Sequence, residues 1–104
     1  MSITVVATIK PLPEHKDAVR AAVLGILSAV HAEPGCELYA LHEADDRLVM
    51  VEQWSSREAL AVHSSGAALA ELGPPLADKL AGVPDVLVLD QLPGGDPVKG
   101  RLVA

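Results

Sequence analysis

The chain has 104 residues, the size of a single domain, and half of its residues are apolar while 21% are charged. This composition excludes a disordered chain, and a formal net charge of -6 with dispersed basic residues excludes a nucleic-acid partner. No apolar run approaches the ~18–20 residues of a membrane span, and no signal peptide is evident. The lone Cys36 fits a reducing compartment, so we expect a cytoplasmic protein with no membrane partner.

The N-terminal third predicts a strand and then a helix. Residues 3–10 (ITVVATIK) are rich in β-branched side chains and end at Pro11, which favours a strand. From Glu14 the apolar positions follow helical spacing until Pro34 and Gly35 end the helix. The apolar stripe of this helix consists of Val19, Val23, Ile26, Leu27 and Val30.

The middle of the chain predicts a hairpin followed by a helix. Two strand-like runs, 36–43 and 47–55, are separated by the short polar turn 44–46. Ser55 and Glu58 have the S-x-x-E spacing of a capping box, so a helix is expected to begin at Ser55.

The last third predicts a bent helical segment, a strand and a tail. The helix is expected to be interrupted at 64–66 and kinked at 73–75 before a final turn over 76–80. Residues 85–92 (DVLVLDQL) predict the last strand, and 93–104 form a C-terminal tail.

The order β-α-β-β-α-β predicts a ferredoxin-like α+β domain over residues 1–92, with a four-stranded antiparallel sheet and both helices on one face. Both faces of the sheet are apolar, since Val86 and Leu87 of the last strand point to opposite sides. Helices can cover only one face. We therefore expect the other to pack against a second copy, forming a homodimer.

The hairpin and the following helix hold the candidate site residues. Glu52 and Trp54 share a face of the predicted strand, and a bend in the chain could bring His63 over the sheet. Together, around an apolar cavity, these residues could bind a planar aromatic ligand and move one proton. The alternative is that Trp54 is core, Glu52 pairs across the hairpin and His63 is a half-exposed helix residue.

The other reactive residues form no catalytic or cofactor motif. The four histidines lack zinc spacing, and no nucleotide or flavin motif is present, so neither a metal nor a cofactor is expected. His15 and His31 lie near helix ends and are expected at the surface. His42 shares a predicted strand face with Cys36, and either lines a cavity or lies in water at the hairpin end.

Three stretches carry a family resemblance: ITVVATIK at 3–10, Glu33-Pro34-Gly35-Cys36 after the first helix, and most specifically EQWSSREALAVH from Glu52 to His63. Across residues 2–92 they resemble the antibiotic biosynthesis monooxygenase family. The resemblance implies a dimeric α+β barrel and a cofactor-free oxygenase that uses O2 on quinols, anthrones or similar small phenolic aromatics. By position, Trp54 and His63 match the family's Trp and His, with Glu52 in the acidic place before the Trp.

The chain also departs from relatives of this family. Related haem-degrading enzymes use an Asn on the first strand and a His on the second helical segment. Here Ala7 and Thr8 occupy the strand and residues 67–80 contain no His, so haem degradation is disfavoured. Two functions stay open: a cofactor-independent monooxygenase, and a non-catalytic dimeric ligand-binding or interaction module on the same fold.

Overall fold

A computed structural model describes residues 1–103, and the strands and helices of that range follow the predicted order. The strands are β1 (Ile3–Ile9), β2 (Cys36–Glu43), β3 (Leu48–Trp54) and β4 (Asp85–Asp90). The helices are α1 (Lys16–Gly25), α2 (Leu27–His31), α3 (Arg57–Ser64), α4 (Ala67–Ala70) and α5 (Gly73–Leu76). The strands pair antiparallel in the order β2-β3-β1-β4, which confirms the ferredoxin-like α+β fold.

The helices pack on one face of the sheet, which we call the covered face. Val5 and Glu52 form a cross-strand pair on this face, as do Ile9 and Leu48. The predicted helical stripe packs there, with Val19 and Val30 fully buried. The buried apolar core consists of Val5, Ile9, Val19, Val23, Ile26, Val30, Tyr39, Leu48, Met50, Trp54, Ala68 and Leu72.

The first helix is divided, whereas the sequence predicts a continuous one. Gly25 ends α1, and the N–H of Ile26 donates to the carbonyl of Val23 at 3.2 Å before α2 begins. Glycine is a weak helix former, which explains why the break falls there. Ile26 still packs into the core, so the apolar stripe survives the break.

α3 begins one residue later than predicted. Its N-cap is Ser56, whose Oγ accepts a hydrogen bond from the N–H of Ala59 at 3.1 Å. The predicted capping box of Ser55 and Glu58 is therefore wrong. The N–H of Ser55 instead donates to the carbonyl of Gly35 at 2.9 Å, which ties the end of β3 to the loop after α2.

The rest of the second helical segment is partly as expected. The interruption at 64–66 is confirmed, because α3 ends at Ser64 and α4 begins at Ala67. Pro74-Pro75 does not kink a helix but lies in the first turn of α5, where a missing N–H is tolerated. Of the predicted final turn over 76–80 only Leu76 is helical, because α5 ends there, and Leu80 forms an isolated β-bridge with Pro11. No helix within residues 1–103 is long and apolar enough to span a bilayer.

The opposite side of the sheet, which we call the open face, carries no helix. Val6 and Val51 pair in its middle, and Leu87 and Leu89 of β4 are 50% and 41% exposed. Even on the covered side of β4, Val86 is 56% exposed because the helices do not reach over this edge strand. The apolar second face predicted from the sequence is therefore present.

A chain of hydrogen bonds crosses one end of the open face and links all parts of the sheet. The amide of Gln91 donates to Thr4 Oγ1 at 3.0 Å and to Gln53 Oε1 at 2.6 Å. Gln53 in turn donates to Glu37 Oε1 at 2.8 Å, and the hydroxyl of Ser2 donates to the same oxygen at 2.6 Å. These contacts leave Gln53 buried on a face that no helix covers.

Candidate functional site

A cavity of about 350 Å³ lies between the covered face and the segment α3 to α5. Its wall is mostly aliphatic, and exposed residues at Pro84 and Val86 border it where the helices leave β4 uncovered. The polar side chains that line it are Tyr39, Glu52, His63 and Ser64. The size and the apolar lining are those of a small-molecule site with a few oriented polar groups.

His63 reaches the cavity from the last turn of α3 and is only 3% exposed. Its ring stacks on Trp54, with centroids 4.4 Å apart and planes inclined by 28°. Its Nδ1 lies 3.0 Å from Oε2 of Glu33, which comes from the loop after α2. The imidazole is therefore fixed from behind by an aromatic plane and at one edge by a carboxylate.

This contact assigns different tasks to the two ring nitrogens of His63. A carboxylate can only accept, so Nδ1 carries the proton that is donated to Glu33. Within residues 1–103 every buried side-chain nitrogen or oxygen has a hydrogen-bond partner, and Nε2 has none among these residues. Nε2 is thus accessible, and because His63 lines the cavity we infer that this nitrogen faces it. In the neutral ring this nitrogen is a proton acceptor.

Glu52 projects from β3 into the same space and is 4% exposed. Its Oε1 accepts a hydrogen bond from Nε1 of Trp54 at 2.9 Å. Burial raises the pKa of the Glu52 carboxyl above its usual value, and the Trp54 hydrogen bond and the nearby His63 only partly oppose this. A carboxyl group in this environment can hold or release a proton at the cavity wall.

Tyr39 of β2 is the second aromatic residue, after Trp54, that contacts the ring of His63. It pairs with Glu52 across the hairpin, and its ring meets that of His63 edge-on, with centroids 5.3 Å apart and planes at 67°. Burial raises the pKa of the Tyr39 phenol far above its ordinary range, so its hydroxyl stays a hydrogen-bond donor at neutral pH.

The contact between Glu33 and His63 depends on a close approach at Gly35. This glycine has a φ of 82°, in the left-handed region that favours glycine. A Cβ at this position would lie 2.5 Å from Cβ of Ala59 and 2.6 Å from Oγ of Ser55. The loop that carries Glu33 therefore lies directly against the start of α3, the helix that carries His63.

The structure brings the three predicted site residues together, although not in equivalent positions. Glu52 and His63 line the cavity, whereas Trp54 is fully buried behind them and contacts both. The alternative that Trp54 is a core residue is therefore correct, because its side chain is fully buried. One part of that alternative is wrong, because His63 is buried rather than half exposed. Glu52 does lie opposite Tyr39 across the hairpin, but its side-chain hydrogen bond comes from Trp54.

Sequence reasoning did not assign Glu33 or Tyr39 to the site. Both carried a usable signal, because Glu33 directly precedes Pro34-Gly35 and Tyr39 lies opposite Glu52 in the hairpin register. His42 lies outside the site, since it is exposed and its Nδ1 is 3.1 Å from the carbonyl oxygen of Ala40.

The sequence predicts that Cys36 and His42 share a strand face, and this prediction is wrong. A β-bulge between Cys36 and Leu38 places Cys36 opposite Trp54. Burial raises the pKa of its thiol. His31 is exposed, as expected, and its Nε2 lies 2.9 Å from the carbonyl oxygen of Tyr39. Among residues 1–103, no three His, Cys, Asp or Glu side chains are grouped so that they could hold a metal ion.

Comparisons with known proteins agree with the fold. The family model described as antibiotic biosynthesis monooxygenase matches residues 2–72. Rv0793 of Mycobacterium tuberculosis, a protein named for monooxygenase activity, is 36% identical over 63 residues, a segment that covers 59% of this chain and 62% of that relative. The solved structure of Rv0793 superposes with a TM-score of 0.84 at 28% identity, over 92% of this chain and all of the other.

A second solved structure, of an antibiotic biosynthesis monooxygenase homologue from Caulobacter crescentus CB15, gives a TM-score of 0.80 at 27% identity and covers 88% of this chain and 90% of that one. PA3566 from Pseudomonas aeruginosa gives 0.80 at 26% identity, over 88% and 94% of the two chains. The family match spans most of the chain and includes Glu33, Glu52, Trp54 and His63. The chain belongs to the antibiotic biosynthesis monooxygenase family.

Proposed function

We propose that the protein is a cofactor-independent monooxygenase that uses O2 to oxidise an electron-rich phenolic ring of the quinol or anthrone type. The observation that carries the proposal is the position of His63. Its Nδ1 is held by Glu33 at 3.0 Å, and its Nε2 faces an apolar cavity of about 350 Å³. A base of this kind in a dry site is what a phenol or an acidic C–H needs in order to become an anion that can reduce O2.

The reaction of an anthrone illustrates the steps. Nε2 of His63 takes one proton from the ring CH2 group, and the resulting carbanion forms a C–O bond with O2. The peroxide accepts a proton, and loss of water with the second C–H proton leaves a carbonyl group. One oxygen atom enters the product and the other leaves as water. The substrate supplies all four electrons.

Each residue around the cavity receives a task in this scheme. Glu33 orients the imidazole and stabilises the imidazolium that forms when His63 takes the proton. Glu52, whose pKa is raised by burial, supplies a proton to the peroxide. Trp54 fixes the positions of Glu52 and His63, which it contacts through its N–H and its ring face.

We also propose that the working unit is a homodimer formed through the open face. Val6, Val51 and Leu87 form an apolar area there that no helix covers. A stable pair of sheets would bury more than ~1,000 Å² in total. The cytoplasmic location predicted from the lone Cys36 stays a prediction.

The proposal is tested by incubating the purified protein with anthrone and isotopically labelled O2 in the presence of EDTA. We expect anthraquinone that carries one labelled oxygen, at a rate well above autoxidation and without added flavin, haem or metal. Activity that EDTA abolishes and iron or copper restores would contradict a cofactor-free mechanism. Binding of the phenolic ring without turnover of any quinol or anthrone would favour the ligand-binding module.

A further inference from the structure

The charges around the cavity are of one sign. Neither Lys nor Arg is among the residues that line it, whereas Glu52 lines it and Glu33 contacts the Nδ1 edge of the His63 ring. We call Glu33, Glu52 and His63 the acidic floor of the cavity.

Three cations on neighbouring elements, Arg57, Arg20 and Lys16, are engaged elsewhere. Arg57 at the start of α3 pairs with Asp90 at 3.0 Å on the surface. Arg20 of α1 pairs with Glu43 at 2.7 Å, and Lys16 lies 3.5 Å from the same Glu43. A ligand in the cavity would therefore meet the Glu52 carboxyl group, with Glu33 on the far edge of the His63 ring, and no Lys or Arg lines the wall to compensate them.

Proton exchange within the acidic floor does not remove its negative charge. With Glu33 ionised, protonating either Glu52 or His63 alone still leaves at least one net negative charge. Only simultaneous protonation of both would neutralise the group. The acidic floor thus repels a ligand that arrives as an anion, and the aliphatic walls offer its charge no solvation. The anion formed from an uncharged phenol differs, because it lies beside the imidazolium that took its proton and the total charge of the site is unchanged.

We propose that the acidic floor makes this cavity select uncharged phenols and reject phenols that carry a carboxylate. This inference rests on the proposed function, since it concerns the substrate class of the same site. It divides phenols into two groups by their charge rather than by their size. An acidic phenol would have to be decarboxylated or esterified before it could enter.

Binding can be measured without turnover, because Trp54 is the only tryptophan in the chain and stacks on His63 at the cavity. The probes are β-naphthol, a hydroxynaphthoic acid and the methyl ester of that acid. The ester matches the acid in size but is uncharged. Quenching of Trp54 fluorescence, checked by titration calorimetry at neutral pH, should give similar affinities for naphthol and ester and at least ~10-fold weaker binding of the acid.

A matched pair of variants tests whether this selectivity arises in the cavity. Leu76→Arg adds a cation to the cavity wall, and Val62→Arg adds the same charge to the outer surface of α3, where Val62 is 61% exposed. Leu76→Arg should narrow the difference between acid and ester to less than about threefold, and Val62→Arg should leave it unchanged.

The outcomes separate this inference from the function on which it rests. If wild-type protein binds the acid as tightly as the ester, the charge selection is wrong while the phenol site stands. If Leu76→Arg still binds the acid at least ~10-fold more weakly than the ester, the acidic floor is not the cause of the difference. The same conclusion follows if Val62→Arg narrows the difference as much as Leu76→Arg does. If none of the three probes binds, the cavity is not a phenol site, and both proposals fail.

Discussion

Two carboxylates on neighbouring strands of this sheet lie on opposite faces and have pKa shifts of opposite sign. Glu52, on the covered face, has one hydrogen-bond donor, from Trp54, and burial raises its pKa. Glu37, whose carboxylate lies beside Gln53 on the open face, accepts from both Ser2 and Gln53, and these bonds lower its pKa. A glutamate thus receives one hydrogen bond on the covered face and two on the open face, and its pKa moves in opposite directions.

The difference indicates what each face is built for. Polar groups that have hydrogen-bond partners hold a surface in one conformation. The hydrogen bonds that link Ser2, Glu37, Gln53 and Gln91 do this at one end of the otherwise apolar open face. Buried titratable groups with accessible atoms are the usual content of a reactive site, and His63 and Glu52 are of this kind. The covered face is suited to chemistry and the open face to packing.

The largest expected effect comes from removing the base on the covered face. His63→Ala should lower turnover of any substrate that the protein oxidises by ~10²–10⁴-fold, because proton transfer to Nε2 is lost. Steady-state oxygen uptake measures the rate, and circular dichroism checks the fold. His42→Ala is the control, since His42 is exposed and outside the site. Equal rates for His63→Ala and wild type would shift the role of base to Glu52.

The next effect concerns the open face. Val51→Arg places a cation in the middle of its apolar area, and burying that charge in each subunit should weaken a homodimer by at least ~100-fold. Sedimentation velocity at micromolar concentration should show a dimer for wild type and for Val62→Arg, and a monomer for Val51→Arg. A wild-type monomer under these conditions would refute the dimer.

A smaller loss is expected from the residue that positions His63. Glu33→Gln keeps an acceptor for Nδ1 but removes the charge that stabilises the imidazolium, so kcat should fall by about 10-fold with little change in KM. Glu33→Asp, which keeps the charge, should restore part of the rate. A change confined to KM would indicate that Glu33 contributes to binding only.

The smallest effects test the two carboxylates directly. Because the pKa of folded Glu52 is raised, its contribution to stability is present at low pH and is lost as the pH rises through the folded pKa. Glu52→Gln should therefore raise Tm by a few degrees near neutral pH and leave it unchanged well below pH 4.5, the ordinary value of this group.

Glu37→Gln provides the opposite case. A lowered pKa contributes stability above the ordinary value and loses it as the pH falls, so this variant should lower Tm by about 1–2 °C near neutral pH and not in acid. Thermal melts across this pH range measure both variants. Shifts of the same sign for the two would remove the contrast between the faces.

The fold was predictable because the composition of its strands and the spacing of its first helix are clear. The β-branched run at 3–10 predicted the strand and the stripe from Val19 to Val30 predicted the buried face of the helix, and both are observed. Details that depend on one hydrogen bond were not predictable in this way. The capping serine is Ser56 because Ser55 bonds Gly35, a contact that the local sequence does not specify. The boundary between a domain at 1–92 and a tail at 93–104 stays a prediction.

The site was predictable where its residues are close in the sequence. Glu52, Trp54 and His63 fall within one strand and the next helix, so topology alone places them together. Glu33 lies 30 positions before His63, and its contact with that ring results from tertiary packing of the loop after α2 against α3. The burial of His63 follows from the same packing, which is why sequence alone also allowed a half-exposed helix residue.

Gly35 gives the site an unexpected kind of mutational sensitivity. Its missing side chain leaves the gap into which Ala59 and Ser55 fit. Any substitution there would act through a shift of two backbone segments, and would separate Glu33 from His63 without altering either. A map of mutational tolerance based on enzyme rates would therefore group Gly35 with the residues that handle protons, although it presents no atom to a ligand and carries no charge.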